Sequence, residues 1–555
     1  MPDNRSYKDL VAILLAALLL VLVTALGETM ARESRRTGRR RTSGNLSTSA
    51  PAIQQLPRRQ LRSPFPALQP LSEDQLEHIH DASLRILEEL GIEVMGQQAI
   101  ELFRQAGADI TPVDKNGSMV KLDRNLVMEL VAKAPGPFDL TPRNAENKIH
   151  LGGNSINFGL VSGTPNVHDC IKGRRLGNMV DYEKLVKFGQ YFNVISFFGN
   201  QATAPTDLPA NNRHMDTTMA NLVLSDKPFY AQGIGAGRVR DAINLTAIAM
   251  GKSIEELSAG VSAITNINVN SPRKLDDSMA YGAMQMAMAG QATTVTPFTL
   301  MGAMTPATMA GALSQQNAEA LLGVCLIQLT KPGAPVVYGG FTSNVDMKTG
   351  SPAFGTPENS LANIAGGQLA RRYNLPYRTS ACNAANTVDA QATYETQMAL
   401  WGATMGHGNA IYHAAGWLEG GLVASFEKII VDCEMLQHMS QMLQPIRFTN
   451  EDIGIDAIDE VGAGGHFFGC DHTMQRYQTA FYAPFLSDWQ NHENWVQNGS
   501  VDTTQRATKV WQKVLADFEA PALDASIKEE MAAYMAKRKE QLGNEEPELE
   551  PELMF

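Results

Sequence analysis

A TIM (β/α)8 barrel is the fold class this sequence predicts, and three observations predict it. Short β-rich runs alternate with helix-patterned stretches from Gly152 onward, at a step of roughly 30–45 residues, often enough to close a barrel of eight units. The run-and-loop pattern of 336–421 is the clearest stretch: its apolar runs end in small or polar residues, and Gly-rich, aromatic-bearing loops follow the first and the last. The rival, an open doubly wound sheet, would carry a GxGxxG turn; Gly233-Ile234-Gly235-Ala236-Gly237 is Gly-rich but lacks that spacing and reads as a barrel loop.

Taken in order, residues 1–29 hold an apolar run of 17 residues, Leu10–Leu26, about 26 Å long as a helix. Arg32, Arg35, Arg36, Arg39, Arg40 and Arg41 follow it, so a retained run would anchor the chain in a membrane with its main body in the cytoplasm. The other reading starts the chain at Met30 and makes it a cytoplasmic protein without an anchor. Residues 30–70 are rich in Arg, Ser and Pro and are expected to form a flexible basic arm. Order begins at Leu71, where Ser72 can cap a helix and Gln75 completes a capping box. With helices at Gln97–Gln105 and Asp123–Ala134, residues 71–150 are expected to be a small helical module.

The barrel is expected over 151–445. Its strands are expected at Ile156–Leu160, Ile195–Gln201, Pro228–Gly233, Gly260–Ile267, Ala292–Thr299, Pro335–Gly340, Tyr377–Cys382 and Asn409–His413. A helical pattern follows each strand. A C-terminal extension covers 446–540, and the acidic tail at 541–555 is expected to be solvated. The aromatic stretch Phe481–Trp495 would expose a large apolar patch unless covered, and this predicts a homo-oligomer.

Composition narrows the function. The chain has 46 Lys and Arg against 58 Asp and Glu, a net charge of −12, which argues against nucleic-acid binding. Its five cysteines stand alone and form no CxxC, as in a reduced compartment. Cys470 and His472 have no second pair of ligands nearby in sequence, so no tightly bound metal is predicted.

A barrel carries its site at the carboxyl ends of its strands. The residues there are mostly aromatic or neutral polar: Gln201, Asn268, Tyr338, Phe341, Tyr412, His413 and Trp417, with Glu419 the exception. Scarce carboxylates disfavour paired acid–base chemistry. Aromatic rings instead suit a cation that cannot be hydrogen-bonded, at about 0.5–2 kcal/mol per face. Tyr412 and His413 adjoin on one strand, so alternation allows only one of them into the lumen.

Several long motifs then occur in a shared order: HDASLRILEELGIEV (80–94), MTPATMAGALSQQNAEAL (304–321), GAPVVYGGF (333–341), DMKTGSPAFGTPE (346–358), HAAGWLEGGLVASFEK (413–428) and VGAGGHFFGCDHT (461–473). By these, over about 71–539, the chain resembles the trimethylamine methyltransferase family of corrinoid-dependent amine methyltransferases. Trimethylamine enzymes of that family carry pyrrolysine. This chain has ordinary residues throughout, and in that respect resembles the family's glycine betaine methyltransferases.

The resemblance implies that a quaternary ammonium donor gives a methyl group to cob(I)alamin carried by a separate corrinoid protein. A quaternary nitrogen is already cationic and departs as a neutral amine, so positioning suffices. On barrel position, Phe341, Trp417 and one of Tyr338 or Tyr412 would form the cage. His413 or Glu419 would orient the donor, and Asn268 or Gln201 would bind its polar end. A betaine carboxylate would need a loop N–H or Arg378. Two alternatives stay open at this point: a corrinoid-independent demethylase or lyase on the same barrel, and a non-catalytic binder of quaternary ammonium compounds.

Overall fold

The computed structural model of the chain describes residues 53–199 and 201–552. Eight parallel strands stand around one axis in chain order: β1 (Phe158–Leu160), β2 (Ile195–Phe197), β3 (Tyr230–Gln232), β4 (Ile264–Ile267), β5 (Ala292–Val295), β6 (Val336–Gly339), β7 (Tyr377–Ser380) and β8 (Ala410–Ala415). β8 pairs back onto β1. Between β2 and β3 the hoop is closed by a single bridge, Phe198 to Phe229. There Phe198 N donates to Pro228 O at 2.9 Å and Tyr230 N to Phe198 O at 3.0 Å. This is the predicted (β/α)8 barrel, and each strand overlaps its expected run. Two of those runs continue into second strands, Phe298–Met301 and Phe341–Val345, which pair in parallel. Pro352–Ala353 returns antiparallel beside them, making a ledge above the carboxyl ends of β5 and β6.

Helices α1 (Met179–Tyr191), α2 (Arg213–Leu224), α3 (Ala236–Met250), α4 (Asp277–Met288), α5 (Met309–Thr330), α6 (Pro357–Arg372), α7 (Ala390–Met405) and α8 (Phe426–Met442) ring the barrel. Six of them start on a side chain that accepts from the first turn: Asn178, Asp276, Thr308, Thr356, Asp389 and Ser425. α3 has only Gly235 at that position. Its first amides are capped from far away in sequence: Ala236 N donates to Leu549 O at 2.9 Å and Gly237 N to Glu548 O at 2.8 Å. A side chain at Gly237 would stand 2.8 Å from the Glu548 nitrogen, so only glycine admits the approach. Glu548 and Glu546 also pair with Arg538 and Arg238. The acidic tail, expected to be solvated, is therefore seated through residue 552 where it is described. Negative side chains complement the positive end of a helix.

The N-terminal module corrects a second expectation. The capping box forms as read: Gln75 N donates to Ser72 Oγ and Ser72 N to Gln75 Oε1. The module is not purely helical, however. Ile92–Met95, Asp109–Pro112 and Gly117–Lys121 form an antiparallel sheet, and Phe138–Leu140 with Ile149–Leu151 makes a hairpin. These strands are three to five residues long, too short to show a period against their helical neighbours. Leu76, Ile79, Val127 and Leu130 of this module share one apolar cluster with Leu313, Leu321 and Val324 of α5, which explains why α5 is buried nearly all round.

Within the expected flexible arm, the described residues lie along the barrel. Leu61–Arg62 pairs antiparallel with Ser155–Ile156, and Leu56 N donates to Gln437 Oε1 at 2.8 Å. The Leu10–Leu26 run and the Met30 start lie outside the described residues. Among the described residues no helix is long and apolar enough to cross a membrane.

At the other end, helix Thr503–Ala516 packs Trp511 and Val514 into the same cluster as Phe426 of α8, where buried Glu427 accepts from Trp511 Nε1 at 2.8 Å. Helix Ala525–Leu542 covers α2 and α3 through Met531. Phe481 and Trp489 are exposed, as are Ile446, Phe448 and Phe468.

Candidate functional site

One apolar cluster draws residues from six strands: Phe197, Tyr230, Ile264, Ala292, Val337 and Tyr412, with Leu140, Ile149 and Leu151 from the hairpin before the barrel. Only the lumen brings those strands together, so these side chains point inward. Their alternates point outward to the helices. Tyr338 follows the inward Val337 and is accordingly outside: its hydroxyl accepts from Gln316 Nε2 at 3.0 Å and donates to Asn317 Oδ1 at 2.9 Å, both on α5. Its expected place in a cage is corrected; it fixes a strand to its helix.

The same rule fails at β8, and the failure builds the site. The β8–β1 register shifts between Ile411 and Ala415, and His413 takes φ 56°, a left-handed conformation costing a non-glycine residue about 1–2 kcal/mol. The shift brings both rings to the same side: the Tyr412 and His413 centroids are 5.6 Å apart. His413 then lies 4.1 Å from Trp417 and 5.9 Å from Phe341. The expectation that only one of the pair reaches the lumen side is overturned by this irregularity.

Phe341, at the start of the ledge, is the hub. Its ring meets Phe298 at 5.0 Å, Phe354 at 5.3 Å in a stack and Trp417 at 6.2 Å edge-on. Phe298 and Phe341 are half-buried, whereas Phe354 and Trp417 are buried. Trp417 is a wall: Nε1 donates to Asn383 O at 3.1 Å, and Gly421 (φ +109°) backs onto its ring so closely that a Cβ there would sit 2.6 Å away. Beneath it, Asn383 Nδ2 donates to Trp417 O and, at 3.0 Å, to Thr396 Oγ1, which also accepts from Lys428 Nζ at 2.9 Å. Lys428 pairs with Asp432, and Asp432 Oδ2 accepts from Gly416 N at 2.8 Å. A wholly buried ion pair thus props the turn that carries Trp417.

Arg378 in β7 is the residue that sequence reasoning placed least well. It is 3 % exposed, and its guanidinium carbon lies 4.3 Å from the Tyr412 ring centroid and 5.1 Å from that of Phe341. Nη1 reaches Gly340 O at 3.4 Å, while Nε has no hydrogen-bond partner among the described residues. The groups that act on its charge are Tyr412, Cys382, Tyr230 and Tyr377, none of them a carboxylate. Burial lowers its pKa from the ordinary arginine value, yet a guanidinium remains charged. The sequence held one signal: a lone cation inside an otherwise uncharged strand.

The remaining expected residues have local partners of their own or none. Glu419 is held by Arg174, Oε2 to Nε 3.1 Å. Asn268 is half-buried, its Oδ1 accepting from Asn266 Nδ2 at 2.9 Å. Gln201 is half-buried, with Nε2 unpartnered among the described residues. Far from these, Cys470 Sγ meets Thr473 Oγ1 and His472 Nε2 meets Glu451 O, and no group of three metal-ligating side chains occurs among the described residues.

The protonation of His413 follows from its surroundings. Ser162 N donates to Nδ1 at 3.4 Å, so a neutral ring carries its proton on Nε2. Burial first, and the Arg378 charge second, push its pKa well below 6.5. In the unfolded chain histidine titrates near 6.5. Below that pH the unfolded state therefore takes up a proton that the folded state refuses, and stability falls as pH drops. The loss approaches about 1.4 kcal/mol per pH unit until the folded ring protonates. His413→Gln is expected to remove that slope between pH 6.5 and 5.5; equal slopes in urea unfolding of the two proteins would refute it.

The carboxyl end of this parallel barrel thus gathers aromatic rings and a buried arginine that has no carboxylate partner among the described residues, at the place where barrels carry their sites. The chain belongs to the trimethylamine methyltransferase (MTTB) family, which it matches over residues 35–543, and it is on that ground a methyltransferase. Among its relatives, the glycine betaine methyltransferase of Desulfitobacterium hafniense (strain Y51) is 36 % identical over 478 residues, 86 % of this chain and 98 % of that protein. The trimethylamine methyltransferase MttB of Desulfitobacterium hafniense (strain DSM 10664 / DCB-2) is 28 % identical over 85 % of this chain and 94 % of its own length. The proline betaine:corrinoid methyltransferase of Eubacterium limosum is 26 % identical over 83 % and 96 %. Among solved structures, the hydroxylamine MtmB complex aligns with a TM-score of 0.48 at 10 % identity, covering 82 % of this chain and 90 % of that one.

Proposed function

We propose that the protein takes a methyl group from a quaternary ammonium donor and delivers it to the corrinoid of a partner protein. The observation that carries this reading is the ring cluster of Phe298, Phe341 and Phe354 at the ledge above β5 and β6 with Trp417 from the turn after β8, beside a histidine held neutral. Aromatic faces attract a cation that has no N–H to offer, and a neutral imidazole does not repel it. The names of the glycine betaine and proline betaine relatives point the same way.

A reduced corrinoid supplies a cobalt nucleophile for methyl groups. The loops at the carboxyl end of the barrel expose Ile234, Met347 and Leu422, apolar side chains that an approaching partner protein would cover. The work of this chain is then to hold, orient and dry the donor. The ring cluster limits how the ammonium can turn, and the closed barrel floor at Leu140, Ile149 and Leu151 keeps water from below. No proton has to be supplied, because a quaternary nitrogen departs as a neutral amine. Trimethylamine is charged only while it carries an N–H proton, for which a cluster of phenyl and indole rings offers no lone-pair acceptor, and it is not expected to serve as a donor.

The test incubates the protein with a reduced corrinoid protein and, in turn, glycine betaine, proline betaine, choline and trimethylamine, while the cobalt absorption is followed. Methylation from at least one quaternary compound and none from trimethylamine is the expected result. Transfer from trimethylamine alone would overturn the reading.

A further inference from the structure

We infer that Arg378 is the specificity-determining residue of this site. It would read a carboxylate on the donor and restrict the enzyme to short zwitterions. This rests on the quaternary-ammonium reading above and narrows it.

A charge removed from water is strongly unfavourable unless it is paired. Among the described residues the two deeply buried lysines have their donors met, Lys428 by the carboxylate of Asp432 and Lys227 by Gly189 O and Phe192 O, both at 2.8 Å. Arg378 has two aromatic faces, one long contact to Gly340 O and an unpartnered Nε. Nε here is left without a partner among the described residues, and ring faces stabilise a guanidinium charge without taking up its N–H groups. Those are the groups that bind a carboxylate in a bidentate fork. An anion arriving in that plane would satisfy Nε and neutralise the charge.

The neighbours fix what else the ligand carries. The Phe341 centroid lies 5.1 Å from the guanidinium carbon, 5.9 Å from the His413 ring and 6.2 Å from Trp417. The anion site and the aromatic rings therefore adjoin, and a short zwitterion spans both. A donor with a positive head and no carboxylate, such as choline or tetramethylammonium, would meet an uncompensated guanidinium at that distance. The arginine attracts betaines and also excludes simple cations.

Three ligands separate the contributions: glycine betaine, tetramethylammonium with its charged head alone, and 3,3-dimethylbutyrate, which keeps the shape and the carboxylate but has no positive charge. Binding is measured by calorimetry on the wild type and on Arg378→Met. The wild type is expected to bind glycine betaine best and to bind dimethylbutyrate measurably. Arg378→Met should lose about 10- to 100-fold in affinity for both carboxylates, the scale of a charge-assisted hydrogen-bond pair, and bind tetramethylammonium no more weakly. Equal wild-type affinity for tetramethylammonium and glycine betaine would overturn the inference and leave the quaternary-ammonium reading standing. A uniform loss of all three ligands in the variant would make Arg378 a structural residue and equally overturn it. A wild type that binds neither quaternary compound would end both readings. Should the variant fail to fold, the wild-type ranking decides, because dimethylbutyrate below detection would overturn the inference unaided.

Discussion

Lys428→Ala should destabilise the protein by about 3–5 kcal/mol, the cost of leaving a buried carboxylate without its partner. Both side chains of the Lys428–Asp432 pair are buried, at 0 % and 1 % exposure, so water cannot compensate the survivor. Burial already raises the Asp432 pKa with Lys428 in place, which shows how strongly the carboxylate depends on that ammonium. Removing both charges in Lys428→Ala with Asp432→Ala is expected to recover part of the loss, since no isolated charge is left. Urea unfolding of the three proteins measures this. A single variant within about 1 kcal/mol of the wild type, or a double variant less stable than the single, would contradict it.

The second large effect concerns donor binding. Phe341→Leu retains much of the volume but removes the π face that meets Phe298, Phe354, Trp417, His413 and Arg378. Donor affinity should drop by about 1–2 kcal/mol, roughly five- to thirty-fold. As the methyl group leaves, the nitrogen loses its charge, so the ring favours the bound donor over the transition state. KM should therefore rise more than kcat falls. Trp417→Leu is expected to do less, because Trp417 is buried with its Nε1 committed to Asn383 O. An unchanged KM in Phe341→Leu, or a larger rise in Trp417→Leu, would remove Phe341 from the centre of the site.

The barrel was legible because eight short runs with polar ends cannot be arranged in many ways. Helix starts such as Asn178, Thr356 and Asp389 announce themselves locally. What stayed hidden depended on partners distant in sequence. Strict alternation admitted only one of Tyr412 and His413 to the lumen, since a register shift opposite β1 leaves no trace in residues 410–415 alone. Alternation applied to β6 would have sent Tyr338 outward once Val337 was placed inside. The acidic tail looked solvated because its ligands, the bare amides of α3 and the side chains of Arg238 and Arg538, lie elsewhere in the chain. The missing cap residue before α3 was the only local hint.

That tail has a consequence for how the molecule is made. Met215, Leu222, Leu245 and Ala249 on α2 and α3 find their cover in Met531 and Leu542, and the first amides of α3 find theirs in Glu548 and Leu549. On the ribosome, where synthesis runs from N-terminus to C-terminus, an early quarter of the barrel waits for some of the last residues to emerge. Through roughly 300 residues of elongation, at about 5–20 residues per second, that flank presents bare hydrocarbon and uncapped amides to water. The chain thus carries its own late-arriving cover for α2 and α3.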